Sequence, residues 1–214
     1  MSARRNFERA CAGALAVVAR VLAGTEVRGA SAALSAQQCI FFANHASHLD
    51  FVVLWSALPS SVRERTRPIA ASDYWQSSRL RRFLAERVFR AVLVERQGAC
   101  GSSAAANAAA MRQALAEGSS LILFPEGTSS ADTTVGEFRS GLYYLARQWP
   151  GVQMVPVRLE NMGRILPRDD VFPVPLIGRL TFGRAIQVWE DESKPHFLER
   201  ARNAVVQMET TRCA

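Results

Sequence analysis

Apolar positions along this chain fall into short runs that alternate between two periods. CIFFANH (39–45) is strand-like and LDFVVLWSAL (49–58) helix-like. RPIAAS (67–72) is strand-like again, SSRLRRFLAERVF (77–89) helix-like, and RAVLVER (90–96) a further strand. Alternation of this kind is the pattern of an α/β domain. It continues with AAANAAAMRQALAEG (104–118), a strong helix former closed by Gly118, and SLILFPEG (120–127), a buried strand ending in a Pro-Glu-Gly turn. FRSGLYYLARQWP (138–150) predicts a helix stopped by Pro150, and VQMVPVRLE (152–160) a strand. A hairpin-like strand near 179–189 precedes a C-terminal helix from about Pro195. The expected fold is α/β: a single domain with a mixed central β-sheet flanked by helices, and a short N-terminal helix.

The first 24 residues stand apart from that alternation. Arg4, Arg5 and Arg9 precede the apolar run CAGALAVVA from Cys11 to Ala19, and Arg20 interrupts it. The run is shorter than the roughly 20 apolar residues needed to span a bilayer. No small-residue cleavage site of the kind that ends a signal peptide follows it. Two readings stay open: a helix packed on the domain, or one lying in a membrane interface.

Composition sharpens the picture in two places. Apolar residues are 49% and charged ones 21%, ordinary globular usage that suggests neither disorder nor a fibrous repeat. The formal net charge is +7, and Lys194 is the only lysine among 26 basic residues. Such a surface favours a polyanionic partner: nucleic acid, an anionic membrane or a phosphorylated substrate. Cys11, Cys39, Cys100 and Cys213 lie far apart with no Cys/His cluster, which predicts no metal site and a reducing compartment.

Three loops that follow predicted strands carry chemistry, and strand carboxyl ends are where α/β sheets bind ligands. In NHASHLD, the strand delivers Asn44 and His45 into a turn, and Ser47 followed by Asp50 is a capping-box-like signal for a helix beginning at Ser47. Residues five apart on one straight helix would face about 140° apart. With His45 in the loop, its ring is free to turn back onto Asp50. A carboxylate on one ring nitrogen fixes the tautomer, so the other nitrogen can take a proton from a hydroxyl. The alternative is that Asp50 serves only the helix N-terminus. His48, inside the first turn, reads as structural. In FPEGTSS, the Glu126–Gly127–Thr128 turn exposes N–H groups and a carboxylate to a polar head group, and Arg96 in VLVERQG supplies a fork for a phosphate or carboxylate.

Together these segments resemble the glycerolipid acyltransferase family, best known for 1-acylglycerol-3-phosphate acyltransferases. Asn44, His45, Ser47 and Asp50 match its NHxSxxD motif, Phe124 to Thr128 its FPEGT block, Arg96 its block II arginine, and Val155, Pro156 and Val157 its VPV block. The blocks occur in family order across roughly 38–187, and FRSG (138–141) and FGRAI (182–186) also look like family segments. The resemblance implies an acyltransferase domain over 25–214 beside the 1–24 helical segment. It further implies that His45, held by Asp50, activates a lysolipid hydroxyl to attack the thioester of acyl-CoA or acyl-carrier protein. No cofactor or metal is then expected. Asn44, Ser47, Arg96, Glu126, Gly127 and Thr128 are implied to bind substrate, with Pro156 shaping the site. The commonest block reads FPEGTRS; Ser129 stands in place of that arginine, and Arg139 is the candidate substitute. The resemblance makes lysophosphatidic acid the first acceptor expected, and Ser129 brings in lyso-ornithine lipid or another lysophospholipid as alternatives.

Such a substrate implies a peripheral or monotopic protein on the cytoplasmic face of a membrane, meeting anionic lipid through the arginine-rich 63–67 and 79–90 stretches. A non-catalytic lipid-binding relative is the alternative of a different class. No nucleic-acid partner is expected, because no recognition-helix, RNA-binding or zinc pattern accompanies the charge. A serine or cysteine hydrolase would require a nucleophile elbow that the chain lacks.

Overall fold

Cys39–Ala43 is apolar at every position and forms a strand, β2, whose five residues are all buried. A strand covered on both faces has no use for polar alternation, and such runs belong to the middle of parallel sheets. The computed structural model describes residues 2–29, 37–45, 50–95, 103–127, 134–161 and 178–208. Within them β2 lies at the centre of a seven-stranded sheet. Its companions are β1 (Glu26–Arg28), β3 (Thr66–Ala71), β4 (Val92–Val94), β5 (Ser120–Leu123), β6 (Gln153–Glu160) and β7 (Arg179–Phe182). The order across the sheet is β1-β7-β6-β2-β5-β3-β4. Neighbours run parallel except β6 and β7, which are antiparallel. The carboxyl ends of β2, β3, β4, β5 and β6 therefore share one edge, where ligand sites form in such sheets.

Helices cover both faces, so the architecture is a single mixed α/β domain. On one face lie α1 (Ser2–Ala23), α2 (Asp50–Ala57) and the short α3 (Ser60–Arg63), α4 (Ser72–Trp75) and α5 (Arg79–Phe83). They enclose Phe41, Phe51, Trp55, Trp75, Phe89, Val155 and Val157. On the other face α6 (Ser103–Ala116), α7 (Gly141–Gln148) and α8 (Lys194–Val206) bury Phe42, Leu121, Leu142, Met154 and Phe197.

The segment 120–127 ends in the expected Pro-Glu-Gly turn: its strand stops at Leu123, and the Gly127 N–H donates to the Phe124 carbonyl at 3.2 Å. Other boundaries differ from the periodicity. The helix predicted over 77–89 is α5 followed by a π-turn, Leu84–Val88, after which Arg90 takes a left-handed φ of 52°. The three-residue β1 carries no periodic signal of its own; it forms because β7, over 150 residues later, pairs with it.

α1 packs against α2 and the π-turn. Ala16 is buried, and Cys11, Ala12, Leu15 and Ala19 press on the same core. Arg20, the interruption in its apolar run, donates from Nε to the Ser56 carbonyl at 2.6 Å and from Nη2 to the Leu58 carbonyl at 3.3 Å. It satisfies the carbonyls that the end of α2 leaves open. The opposite side of α1 exposes Phe7, Val17, Val18 and Val21. Among the described residues no helix is long and apolar enough to cross a membrane.

Candidate active site

β2 stops at Ala43 because the next side chain completes the ladder by itself. Asn44 donates from Nδ2 to the Leu159 carbonyl at 2.9 Å and accepts at Oδ1 from the Leu159 N–H at 2.8 Å. The carboxamide thus pairs with β6 as a peptide unit would, while the main chain turns out of the sheet. His45 follows at the carboxyl edge, ahead of α2.

Asp50 is the first residue of α2, where the helix dipole favours a carboxylate. The His45 Nδ1 lies 3.0 Å from Asp50 Oδ2, with the Asp50 side chain 1% exposed and that of His45 17%. A carboxylate only accepts, so Nδ1 carries the proton and Nε2 is left with its lone pair. The imidazole also stacks on Phe124, ring centroids 4.3 Å apart and planes 24° from parallel. One side of the ring is packed, Nδ1 meets a buried carboxylate, and the exposure is small: a base held in one orientation and partly withdrawn from water.

Glu126 arrives from the adjacent strand through the Pro125 turn and is 8% exposed. Its Oε1 accepts from the His45 main-chain N–H at 2.9 Å and its Oε2 from the Gly136 N–H at 3.0 Å. Gly127 takes φ of 75°, a region costly for other residues, and a Cβ there would run into the Arg139 side chain. Arg139 donates from Nε to the Glu126 carbonyl at 3.1 Å, and its N–H donates to the Pro125 carbonyl at 2.8 Å. Pro156 lies within β6 opposite Phe42, between Val155 and Val157, which face the α1–α2 side. Its carbonyl accepts from the Gly183 N–H at 2.9 Å.

The sequence-predicted residues His45, Asp50, Asn44, Glu126, Gly127 and Arg139 therefore meet around the ends of β2 and β5. Ser47, Arg96 and Thr128 lie outside the described residues. Phe124, Gly136 and Leu159 also shape the site: Phe124 opens the FPEGT block but carries no role from the motif, and Gly136 and Leu159 belong to none of the matched motifs. Phe124 acts through its ring face and the other two through backbone atoms, which no residue-type pattern advertises. Among the described residues no group of three or more His, Cys, Asp or Glu side chains is placed to hold a metal ion.

The chain is similar to several known proteins. The fold is similar to the crystal structure of the 1-acyl-sn-glycerophosphate (LPA) acyltransferase PlsC from Thermotoga maritima, with a TM-score of 0.73 over 98% of this chain and 83% of that one. Identity there is 18%, so the likeness speaks for the fold alone. A chloroplastic 1-acyl-sn-glycerol-3-phosphate acyltransferase of Arabidopsis thaliana is 42% identical over 53 residues, 25% of this chain and 15% of that protein. A 1-acyl-sn-glycerol-3-phosphate acyltransferase of Chlamydomonas reinhardtii is 39% identical over 56 residues, 26% of this chain and 17% of that protein. The chain thus matches about a sixth of the length of these curated relatives. Broader coverage comes from the Acyltransferase family model, which matches residues 24–160, from the end of α1 through β6 and across both loops of the site. More than half of the chain fits that model, and the protein belongs to the acyltransferase family.

Proposed function

We propose that this protein moves a fatty acyl group from a thioester carrier, acyl-CoA or acyl-carrier protein, to the free hydroxyl of a lysolipid, with 1-acyl-sn-glycerol-3-phosphate the first acceptor to test. The observation that carries the proposal is the 3.0 Å pairing of His45 Nδ1 with the buried Asp50 carboxylate. His45 Nε2 takes the proton of the acceptor hydroxyl as its oxygen attacks the thioester carbonyl. The tetrahedral intermediate collapses with cleavage of the C–S bond, and the departing thiolate takes the proton back from His45. Atoms balance as one ester and one free thiol, and Asp50 steadies the imidazolium between the two proton transfers. A thiolate is a good leaving group, so the demanding step is activation of the hydroxyl, which is where His45 acts.

The acceptor is drawn from the names of the curated relatives and from the FPEGT block, in which Ser129 stands where an arginine is commoner. Ser129 keeps lyso-ornithine lipid and other lysophospholipids in the same test. Purified protein is to be assayed against a lysolipid panel with acyl-CoA and with acyl-carrier protein, following free thiol and acylated product. Turnover that vanishes in a folded His45→Ala variant is expected; substantial activity remaining in that variant would sink the mechanism. Binding of lysolipid without turnover by the intact chain favours the non-catalytic alternative.

An acceptor anchored in a bilayer requires the protein to reach one. Support comes from the exposed Phe7, Val17, Val18 and Val21 on α1 and from Leu80 and Phe83 on α5, beside Arg79, Arg81 and Arg82. α5 runs into the π-turn on which α1 packs, so apolar and cationic groups gather on neighbouring elements, a combination suited to an anionic membrane surface.

A further inference from the structure

We infer that Glu126 is a positioning residue for the base His45, not a ligand for the acceptor's head group; the inference rests on the acyl-transfer reading above. A carboxylate that binds substrate presents its oxygens to the space the substrate fills. Glu126 presents both to its own chain, Oε1 to the His45 N–H at 2.9 Å and Oε2 to the Gly136 N–H at 3.0 Å, and is 8% exposed. Hydrogen bonds from N–H groups to an ionised acceptor are about twice as strong as neutral ones, so the side chain joins three segments firmly: the turn after β2, the turn after β5 and the stretch leading to α7.

The surroundings are built to bring those segments together. A Cβ on Gly136 would come within 2.9 Å of Glu126 Oε2, so any larger residue there would push the carboxylate away from this backbone. The Val135 and Gly136 carbonyls accept from Arg202 of α8, with its Nε 3.0 and 3.1 Å away and its Nη2 2.7 Å from the Val135 carbonyl. Arg139 fixes the Glu126 main chain through its carbonyl. On the other flank Asn44, one residue before His45, is locked to Leu159. His45 is thus pinned at its main chain by Glu126 and through Asn44, and at its ring by Asp50 and Phe124.

Glutamine at position 126 keeps one acceptor oxygen but turns an amide NH2 toward the second N–H donor; alanine removes both acceptors. If the role is positioning, both variants lower kcat while the KM for the acceptor stays within about threefold. Loss is expected near tenfold for Glu126→Gln and near a hundredfold for Glu126→Ala, the scale of a misplaced reacting group. Steady-state kinetics in acceptor and donor, together with site-resolved amide hydrogen exchange, test this. In Glu126→Ala the His45 and Gly136 amides are expected to exchange at least about tenfold faster, while Ile40, Phe41 and Phe42 in β2 keep their protection. A rise in acceptor KM that exceeds the fall in kcat, kinetics unchanged in both variants, or unchanged exchange at both amides overturns the inference. Wild-type protein inactive on every lysolipid would instead count against acyl transfer, and the exchange measurement would still decide whether Glu126 holds the His45 turn.

Discussion

Replacing Asp50 by asparagine removes the charge behind His45 while keeping the shape of a side chain that is 1% exposed. The 3.0 Å contact then changes in kind. A hydrogen bond to a charged group contributes about 1.5–3 kcal/mol, and its loss as the imidazolium forms is worth about 10- to 150-fold in rate. The asparagine amide can also donate to Nδ1, which favours the tautomer with its proton on Nε2, where the hydroxyl must be deprotonated. The two effects act together, and the expected fall in kcat is about 10²- to 10⁴-fold. Folding should be little affected: the lost interaction with the α2 dipole, about 0.3–1 kcal/mol, is partly offset by relief of a buried charge. The assay is thiol release at saturating acceptor for Asp50→Asn, His45→Ala and the double variant, with circular dichroism melting as the control. Asp50 acts through His45, so the double variant should be no slower than His45→Ala alone. Retention of more than about a third of wild-type kcat by Asp50→Asn, or multiplicative losses in the double variant, would refute the pairing as the source of the base.

Asn44→Ala leaves the Leu159 N–H and carbonyl without their side-chain partner, at a cost of about 1–3 kcal/mol and a fall in Tm of several degrees; Asn44→Asp, with a carboxylate oxygen facing a carbonyl, should fall further. Glu192 gives the acid limb of stability. Hydrogen bonds from Arg200 first, then from the Trp189 N–H and His196, hold its carboxyl at about 2 against an ordinary 4.5, with burial opposing them. A depressed carboxyl contributes stability that is fully present above the unfolded value and lost as pH falls from about 4.5 toward 2; denaturant midpoints measured across that window should decline. In Glu192→Gln this part of the decline should disappear, together with about 1.5–3 kcal/mol of stability at neutral pH, the range for a hydrogen bond to a charged group. Val17→Glu with Val21→Glu, both on the exposed side of α1, should reduce flotation with anionic liposomes without lowering Tm, and undiminished flotation would rule out this face as the contact.

The main elements were legible in the sequence because their signals are local. CIFFA is a buried strand from its own composition, the alanine-rich 104–118 stretch is a helix ended by its glycine, and strand carboxyl ends mark where ligands gather. The loop position of His45 followed from the same kind of reasoning, since five residues on one helix cannot bring a histidine back onto an aspartate. Where the reading fell short, a distant segment decided the outcome. Arg20, an interruption in the sequence, becomes a cap on α2 once α1 docks there. β1 is too short to announce itself and depends on β7.

Sequence alone determined the alternating α/β plan and the side chains that can exchange a proton, because periodicity and residue chemistry are properties of neighbouring residues. Tertiary structure decided what those side chains do. It brings Gly136 to one oxygen of Glu126 and His45 to the other, the contacts from which the positioning role of this carboxylate is inferred, and it lays Phe124 under the imidazole. Those contacts join residues ten to eighty positions apart, and their bond lengths follow from how β2, β5 and α7 pack, which no local pattern encodes.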